Sequence, residues 1–209
     1  RRLEMVTQYG FFFDAAACSG CKACQIACKD RNDLEPGLLW RRVYEVAGGG
    51  WEKKGEAWVP SVVAYNISMA CNHCEKPVCG LACPVKAIVK RDDGIVLVDT
   101  GACIGCRYCE WACPYTALRF DVRTNTVSKC DFCVDAIDAG GVPACVAACP
   151  ERALDFGDLT ELRKKHGDVR QIVPLPDPSQ TEPALVIKPH RDAAKAAERG
   201  AEVANWEEV

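Results

Sequence analysis

The sixteen cysteines of this 209-residue chain fall into four quartets and nowhere else. The third quartet, CIGCRYCEWACP, sets Cys103, Cys106, Cys109 and Cys113 at C-x2-C-x2-C-x3-C-P spacing. The first, Cys18, Cys21, Cys24 and Cys28, repeats that spacing with Lys29 in place of the proline. The second, Cys71, Cys74, Cys79 and Cys83, widens the middle gap and ends at Pro84. The fourth, Cys130, Cys133, Cys145 and Cys149, has its gap stretched by residues 134–144 and ends at Pro150. A C-x2-C-x2-C loop lets three sulfurs converge on one small volume, while the fourth, ahead of proline, points away along a short helix. This is the spacing of [4Fe–4S] ligation, in which the fourth cysteine of one run serves the cluster of another. The quartets must therefore meet in pairs.

Two other uses of sixteen cysteines fit poorly. Disulfide scaffolds are short and do not repeat tight C-x2-C pairs. Zinc ribbons use such pairs, but not four-cysteine runs closed by Cys-Pro. Hydrophobic residues make up 49% of the chain, and leaving out the cysteines lowers this to about 41%. Clusters would then stand in for part of the core, coupling metal binding to folding. The formal charge of −3 falls to about −11 if sixteen thiolates hold four oxidised cubes. With no Lys/Arg block either, nucleic acid is not an expected partner. There is no G-x-G-x-x-G or P-loop, and no quartet lacks a cysteine, which argues against a catalytic iron–sulfur enzyme with its own small-molecule substrate. No apolar run approaches a membrane span. Arg1-Arg2 is not followed by an apolar stretch, so it does not read as a twin-arginine signal. Met5 is a candidate natural start, with residues 1–4 a remnant.

Residues 7–13, aromatic and closed by Asp14, predict a strand leading into the first quartet. Trp40–Val46 and Ala57–Met69 predict strands around a glycine turn at 47–50, an inserted hairpin with Glu52, Lys53, Lys54 and Glu56 at its tip. It reads either as padding or as a docking surface. Ile95–Asp99 pairs with Ala87–Lys90 across an Asp-Gly turn, and 126–128 pairs with 117–122. Quartet, helical turn and hairpin thus repeat as in a duplicated ferredoxin unit. Gly140-Gly141 predicts a surface loop. Ala153–Phe156 predicts a strand, Asp158 an N-cap with Glu161 completing a capping box, and Gly167 the end of the helix 159–166. Lys164, Lys165 and His166 suit the negative end of that helix. Residues 171–190, with five prolines, read as an extended arm, and the Ala/Glu-rich 191–209 as a helical tail.

Within these runs His73 suggests a supporting role beside its cluster. Lys22, Arg107 and Lys129 are either potential-raising cations or solvated charges. Arg107 and Tyr108 lead the candidates for tuning or for a face toward a membrane partner. Trp111 is expected to pack on a cluster.

YGFFFD, CNHCEKPVC, CIGCRYCEWACPY, KCDFC and ALDFGDLTELRKKHGD, at these spacings, resemble the iron–sulfur B subunits of bacterial dimethyl sulfoxide reductases. The quartet pattern is similar to that of the wider group of four-cluster electron-transfer subunits of molybdopterin oxidoreductases. The resemblance implies an α+β fold of two tandem ferredoxin-like units. Residues 5–35 and 125–170 would form the outer unit, 36–70 the inserted hairpin, 71–124 the inner unit and 171–209 the extended C-terminal arm. It also implies the pairing of quartets. Cys18, Cys21, Cys24 and Cys149 would hold cluster 1, and Cys130, Cys133, Cys145 and Cys28 cluster 2. Cys71, Cys74, Cys79 and Cys113 would hold cluster 3, and Cys103, Cys106, Cys109 and Cys83 cluster 4. The implied role is non-catalytic electron transfer in anaerobic respiration. Electrons would run from an integral membrane quinol-oxidising anchor to a molybdopterin catalytic subunit that reduces dimethyl sulfoxide or a related S- or N-oxide, in a heterotrimer. The same role with thiosulfate, polysulfide, formate or an aldehyde is the alternative. The chain would sit peripherally on the cell membrane through the anchor after cytoplasmic assembly, with the side of the membrane left open.

Nitrate reductases of the wider family carry tryptophan at the position of Cys106 and a [3Fe–4S] cluster there. Cysteine at this position implies four [4Fe–4S] clusters here. A Cys106→Ser protein should show a [3Fe–4S] EPR signal as isolated; its absence would remove Cys106 from the ligand set.

Overall fold

The aromatic run near the N-terminus becomes the central strand of a three-stranded sheet in the computed structural model, which describes residues 8–209. The expectations for residues 1–4 and for Thr7 lie outside the described residues. Strand β1 (Tyr9–Asp14) enters the first cysteine loop, and helix α1 (Ala23–Arg31) follows. Next come β2 (Arg42–Gly48), β3 (Trp51–Lys54), β4 (Ala57–Pro60) and β5 (Val63–Met69). One-turn helices α2 (Val78–Leu81) and α3 (Tyr108–Ala112) flank the hairpin of β6 (Ile88–Lys90) and β7 (Val96–Val98). The hairpin of β8 (Arg119–Asp121) and β9 (Thr126–Ser128) precedes α4 (Val134–Asp138) and α5 (Ala144–Ala147). The chain closes with β10 (Leu154–Asp158), α6 (Leu159–His166), β11 (Leu185–Lys188), α7 (Ala193–Ala196) and β12 (Glu202–Val203).

Strand β1 lies between β10, antiparallel with Tyr9 opposite Asp158, and β11, parallel with Phe11 opposite Leu185. Side chains alternate across a strand, so Phe11 and Phe13 join Leu154, Leu185 and Ile187 in the main core. Phe12 points the other way, with Ala184 and Val186, onto Leu159 and Leu162 of α6. A strand covered on both faces needs apolar residues at successive positions, which is why FFF and LVI read as continuous runs. Asp158 caps α6, its carboxylate accepting from the Thr160 and Glu161 amides at 2.9 and 3.2 Å. Glu161 turns to Lys164 at 2.7 Å instead of completing a capping box. Gly167 ends the helix at φ +87°, as expected. His166 is not a free helix-end charge: its ring stacks on Phe12 at 3.7 Å, and burial, with Lys165 nearby, lowers its pKa.

The inserted segment is one long hairpin broken in the middle. β2 pairs with β5, and β3 with β4 beyond it. The expected strand 57–69 is interrupted because Ser61 turns back, its amide donating to the Gly50 carbonyl at 2.7 Å.

The C-terminal residues correct the expectation of an extended arm. Residues 171–190 supply β11, with Ile187 completely buried. Residues 191–209 form only one turn of α-helix before β12 adds to the edge of β2. Asn205 continues that pairing with its side chain, accepting from the Glu45 amide at 2.8 Å and donating to the Val43 carbonyl at 3.1 Å. Composition misled here: proline-rich flanks conceal the apolar run ALVI, which has few polar atoms and a ready strand edge to pair with. Replacing Ile187 with Ala should cost about 2–5 kcal/mol and lower the temperature at which cluster absorbance is lost, while Val122→Ala, at the exposed surface, should leave it unchanged.

Candidate functional site

The opening C-x2-C loop of each of the four quartets turns the same way. The second residue between the cysteines adopts left-handed backbone in each: Gly20 (φ +76°), His73 (+42°), Gly105 (+68°) and Phe132 (+66°). Glycine meets this need without strain. At Gly105 there is also no room for a side chain, since a Cβ would lie 2.4 Å from the Asn125 carbonyl oxygen. His73 and Phe132 carry side chains in this strained region, and both are completely buried. Their rings meet edge to face at 5.1 Å, so the second and fourth loops lean on each other.

A second device recurs at the ends of three quartets, where the sequence reads C-P-x-x-A. Proline stops each preceding one-turn helix. The residue before alanine is left-handed: Lys86 (+54°), Thr116 (+49°) and Arg152 (+51°). This turn aims the alanine amide back at the cysteine. Ala87 donates to Cys83 Sγ at 3.2 Å and Ala153 to Cys149 Sγ at 3.3 Å, and the Ala117 amide does the same for Cys113. Each alanine is buried. The first quartet lacks the proline, and α1 accordingly runs on to Arg31. Asn32 Nδ2 reaches Cys28 Sγ there at 3.8 Å, and Lys29 Nζ binds the Leu34 and Glu35 carbonyls. The C-P-x-x-A repeat was visible in the sequence, but its meaning lies in the backbone turn.

These loops and turns gather cysteines from different quartets. One cavity is lined by Cys18, Cys21, Cys24 and Cys149. Another is lined by Cys71, Cys74, Cys79 and Cys113. Cys28 lies within the electrostatic reach of Cys133 and Cys145, and Cys130 within that of Cys28 and Cys145. Cys109 neighbours Cys83 and Cys103. Cys106 stands half-buried on the loop between Cys103 and α3. None of the sixteen is joined in a disulfide.

The donor chemistry fits a cluster. Burial, followed by a nearby thiolate, pushes Cys79 up to about 12; Cys74 likewise reaches about 12. Burial lifts Cys18 and Cys109 to about 11. Facing thiolates cannot persist in such a place without cations among them. Iron supplies that charge and deprotonates its ligands outright. The amides aimed at sulfur then favour the more negative, reduced state.

Several other expected residues lie elsewhere. Trp111 does not pack on a cluster site; it is 74% exposed and stacks on Tyr108 at 5.9 Å. Two residues along a helix turn about 200°, which places Trp111 opposite the buried Cys109. Arg107 pairs with Glu110 at 2.7 Å and lies over Phe120, and Lys22 pairs with Glu45 and Glu208. Lys129 is buried rather than solvated, its ammonium held by the Val96 and Cys130 carbonyls. His73 is neutral, because burial drives its pKa far down. Its Nδ1 accepts the Val96 amide at 3.0 Å. Two buried arginines, Arg41 and Arg42, gave no signal in the sequence because they precede and begin a strand far from any quartet.

Thiol-lined cavities joined by loops of this geometry define an iron–sulfur electron-transfer protein. The model of the 4Fe-4S dicluster domain matches residues 62–159. The chain is 49% identical over 205 residues to the B subunit of the anaerobic dimethyl sulfoxide reductase of Escherichia coli K12, covering 98% of this chain and 100% of that one. It is 44% identical to the corresponding subunit of Haemophilus influenzae, over 97% and 99% of the two chains. The B subunit of the polysulfide reductase of Wolinella succinogenes is 35% identical, over 90% and 97%. The chain belongs to the family of dimethyl sulfoxide reductase B subunits, the iron–sulfur electron-transfer subunits of multi-subunit reductases. Among the described residues no helix is long and apolar enough to cross a membrane.

Gly105→Ala should cost about 1–3 kcal/mol and lower the iron content. Gly140→Ala, also left-handed but facing open space, should retain full iron, as measured by chemical iron assay.

Proposed function

We propose that the chain holds four [4Fe–4S] clusters in two swapped pairs and conducts electrons from a quinol-oxidising membrane anchor to a molybdopterin catalytic subunit. The observation that carries this reading is the pair of cavities that each combine three cysteines of one quartet with the last cysteine of another. On it, Cys18, Cys21, Cys24 and Cys149 hold cluster 1, and Cys130, Cys133, Cys145 and Cys28 hold cluster 2. Cys71, Cys74, Cys79 and Cys113 hold cluster 3, and Cys103, Cys106, Cys109 and Cys83 hold cluster 4. The first and last quartets, with 5–35 and 125–170, then form an outer ferredoxin-like unit, and 71–124 an inner one. The packing of α1 against α5 and of α2 against α3 supports this division.

Bound in these sites, the clusters would supply one-electron carriers that need no proton or bond change. The chain's residues hold them, exclude water and fix the local field. The terminal acceptor reduced by the catalytic partner is dimethyl sulfoxide or a related S- or N-oxide. Identity at nearly full length to subunits of dimethyl sulfoxide reductases, above that to the polysulfide reductase subunit, favours this over polysulfide. The assembly is a heterotrimer attached to the membrane through its anchor.

Anaerobic purification with the neighbouring subunits should yield about 16 iron and 16 labile sulfide per chain, from four four-iron cubes. A reduced quinol analogue should reduce the clusters, and dimethyl sulfoxide should reoxidise them. Swapping predicts that Cys149→Ser alters the same EPR signal as Cys18→Ser and leaves that of Cys130→Ser unchanged. If Cys149→Ser instead follows Cys130→Ser, each quartet holds its own cluster.

A further inference from the structure

We propose that Arg41 is a shared positive charge for the two outer clusters, a positioning residue that raises both their reduction potentials. The inference rests on the ligand sets proposed above and goes beyond them by assigning a role to a residue outside every quartet.

Arg41 is 2% exposed at the entrance to β2. Its Nη1 donates to Ser68 Oγ at 3.1 Å and to the Ser68 carbonyl at 3.4 Å. Ser68 Oγ in turn lies 3.3 Å from Cys24 Sγ, a cluster 1 ligand. The Arg41 backbone amide faces the Cys28 thiol, a cluster 2 ligand. Arg41 therefore reaches Cys24 through Ser68 on one side and faces Cys28 with its main chain on the other. The guanidinium carbon sits 4.8 Å from the Phe11 ring centre, which fixes the plane of the fork.

Its partners do not balance its charge. Among the described residues no carboxylate forms an ion pair with Arg41, and Nε and Nη2 are buried without a hydrogen-bond partner. An isolated buried cation is expensive, and a guanidinium stays protonated rather than give up its charge. The groups around it that can carry negative charge are Cys24 of the cluster 1 set and Cys28, Cys130 and Cys145 of the cluster 2 set. The next residue turns the opposite way: Arg42 donates to the Tyr115 and Thr116 carbonyls beside Cys113 of the inner set. Lys129, the other deeply buried cation, has its ammonium on two carbonyls. Of these three, Arg41 is linked to both outer ligand sets, by its main chain to Cys28 and through Ser68 to Cys24.

An oxidised cube with four thiolates carries about −2, and reduction adds one electron without making or breaking a bond. A fixed cation in a low-dielectric site favours the more negative state. Because Arg41 lies between two sites, its charge acts on both together and partly offsets their mutual repulsion when both are reduced. The inner pair, served by other residues, should not respond.

The test is an EPR-monitored dithionite titration of the intact complex bearing Arg41→Gln, Arg41→Lys or Ser68→Ala. Wild-type iron of about 16 per chain, with four clusters by spin integration, establishes the ligand reading beneath. Given that, Arg41→Gln should move two midpoint potentials downward and leave two in place. Arg41→Lys, which keeps the charge, should restore most of the difference. Ser68→Ala should shift the same two clusters by less. Four unchanged potentials, a uniform shift of all four, or Arg41→Lys matching Arg41→Gln would overturn the assignment while leaving the ligand sets standing. If Arg41→Gln fails to load iron, Arg41→Lys loading fully supports the shared charge, and Arg41→Lys failing equally overturns it.

Discussion

Buried sulfur dictates how this chain can pack, because sixteen thiols in 209 residues leave little volume for an ordinary core. The cavities they line occupy the places where aliphatic side chains would meet. A buried thiolate is stable only beside a cation, so the fold needs charge neutralisation as much as apolar packing. The three-stranded sheet around β1 and the sheet around β2 act as walls for the cavity lined by Cys18, Cys21, Cys24 and Cys149. Phe13 of one and Val43 of the other line the same thiol-ringed space.

The sequence disclosed the cysteine loops because spacing is geometry. A C-x2-C loop can present its sulfurs to one point only by reversing direction, and the opening loop of each quartet does so at the same residue. Gly20 and Gly105 advertise that turn. His73 and Phe132 conceal it, and only the packed structure reveals that their rings support each other across the two halves of the molecule. Swapping in general followed from the spacing, but the choice of partners for each quartet came from resemblance, since nothing local in Cys18 or Cys149 points to the other.

What could not be read was whatever depends on distant chain segments. Arg41 looks like any charged residue before a strand. Its meaning arises from Ser68, Cys24 and Cys28 arriving around it. The ALVI run looked like part of a polar, proline-rich tail because strand propensity is weak evidence without a known edge to join. Trp111 shows the opposite failure: a large aromatic beside a ligand suggested packing, and helical phase put it on the outside.

The order of these contacts along the chain has a consequence in time. The cysteines Cys71, Cys74, Cys79 and Cys113 that line one cavity lie within about forty residues of each other, whereas the cavity lined by Cys18, Cys21 and Cys24 must wait for Cys149, more than a hundred residues later. During synthesis Cys18, Cys21 and Cys24 emerge long before Cys149, and the sheet beside them still lacks both β10 and β11. Until they arrive the N-terminal thiols lie open to solvent and oxidant. A cell making this protein has to protect its earliest cysteines longest.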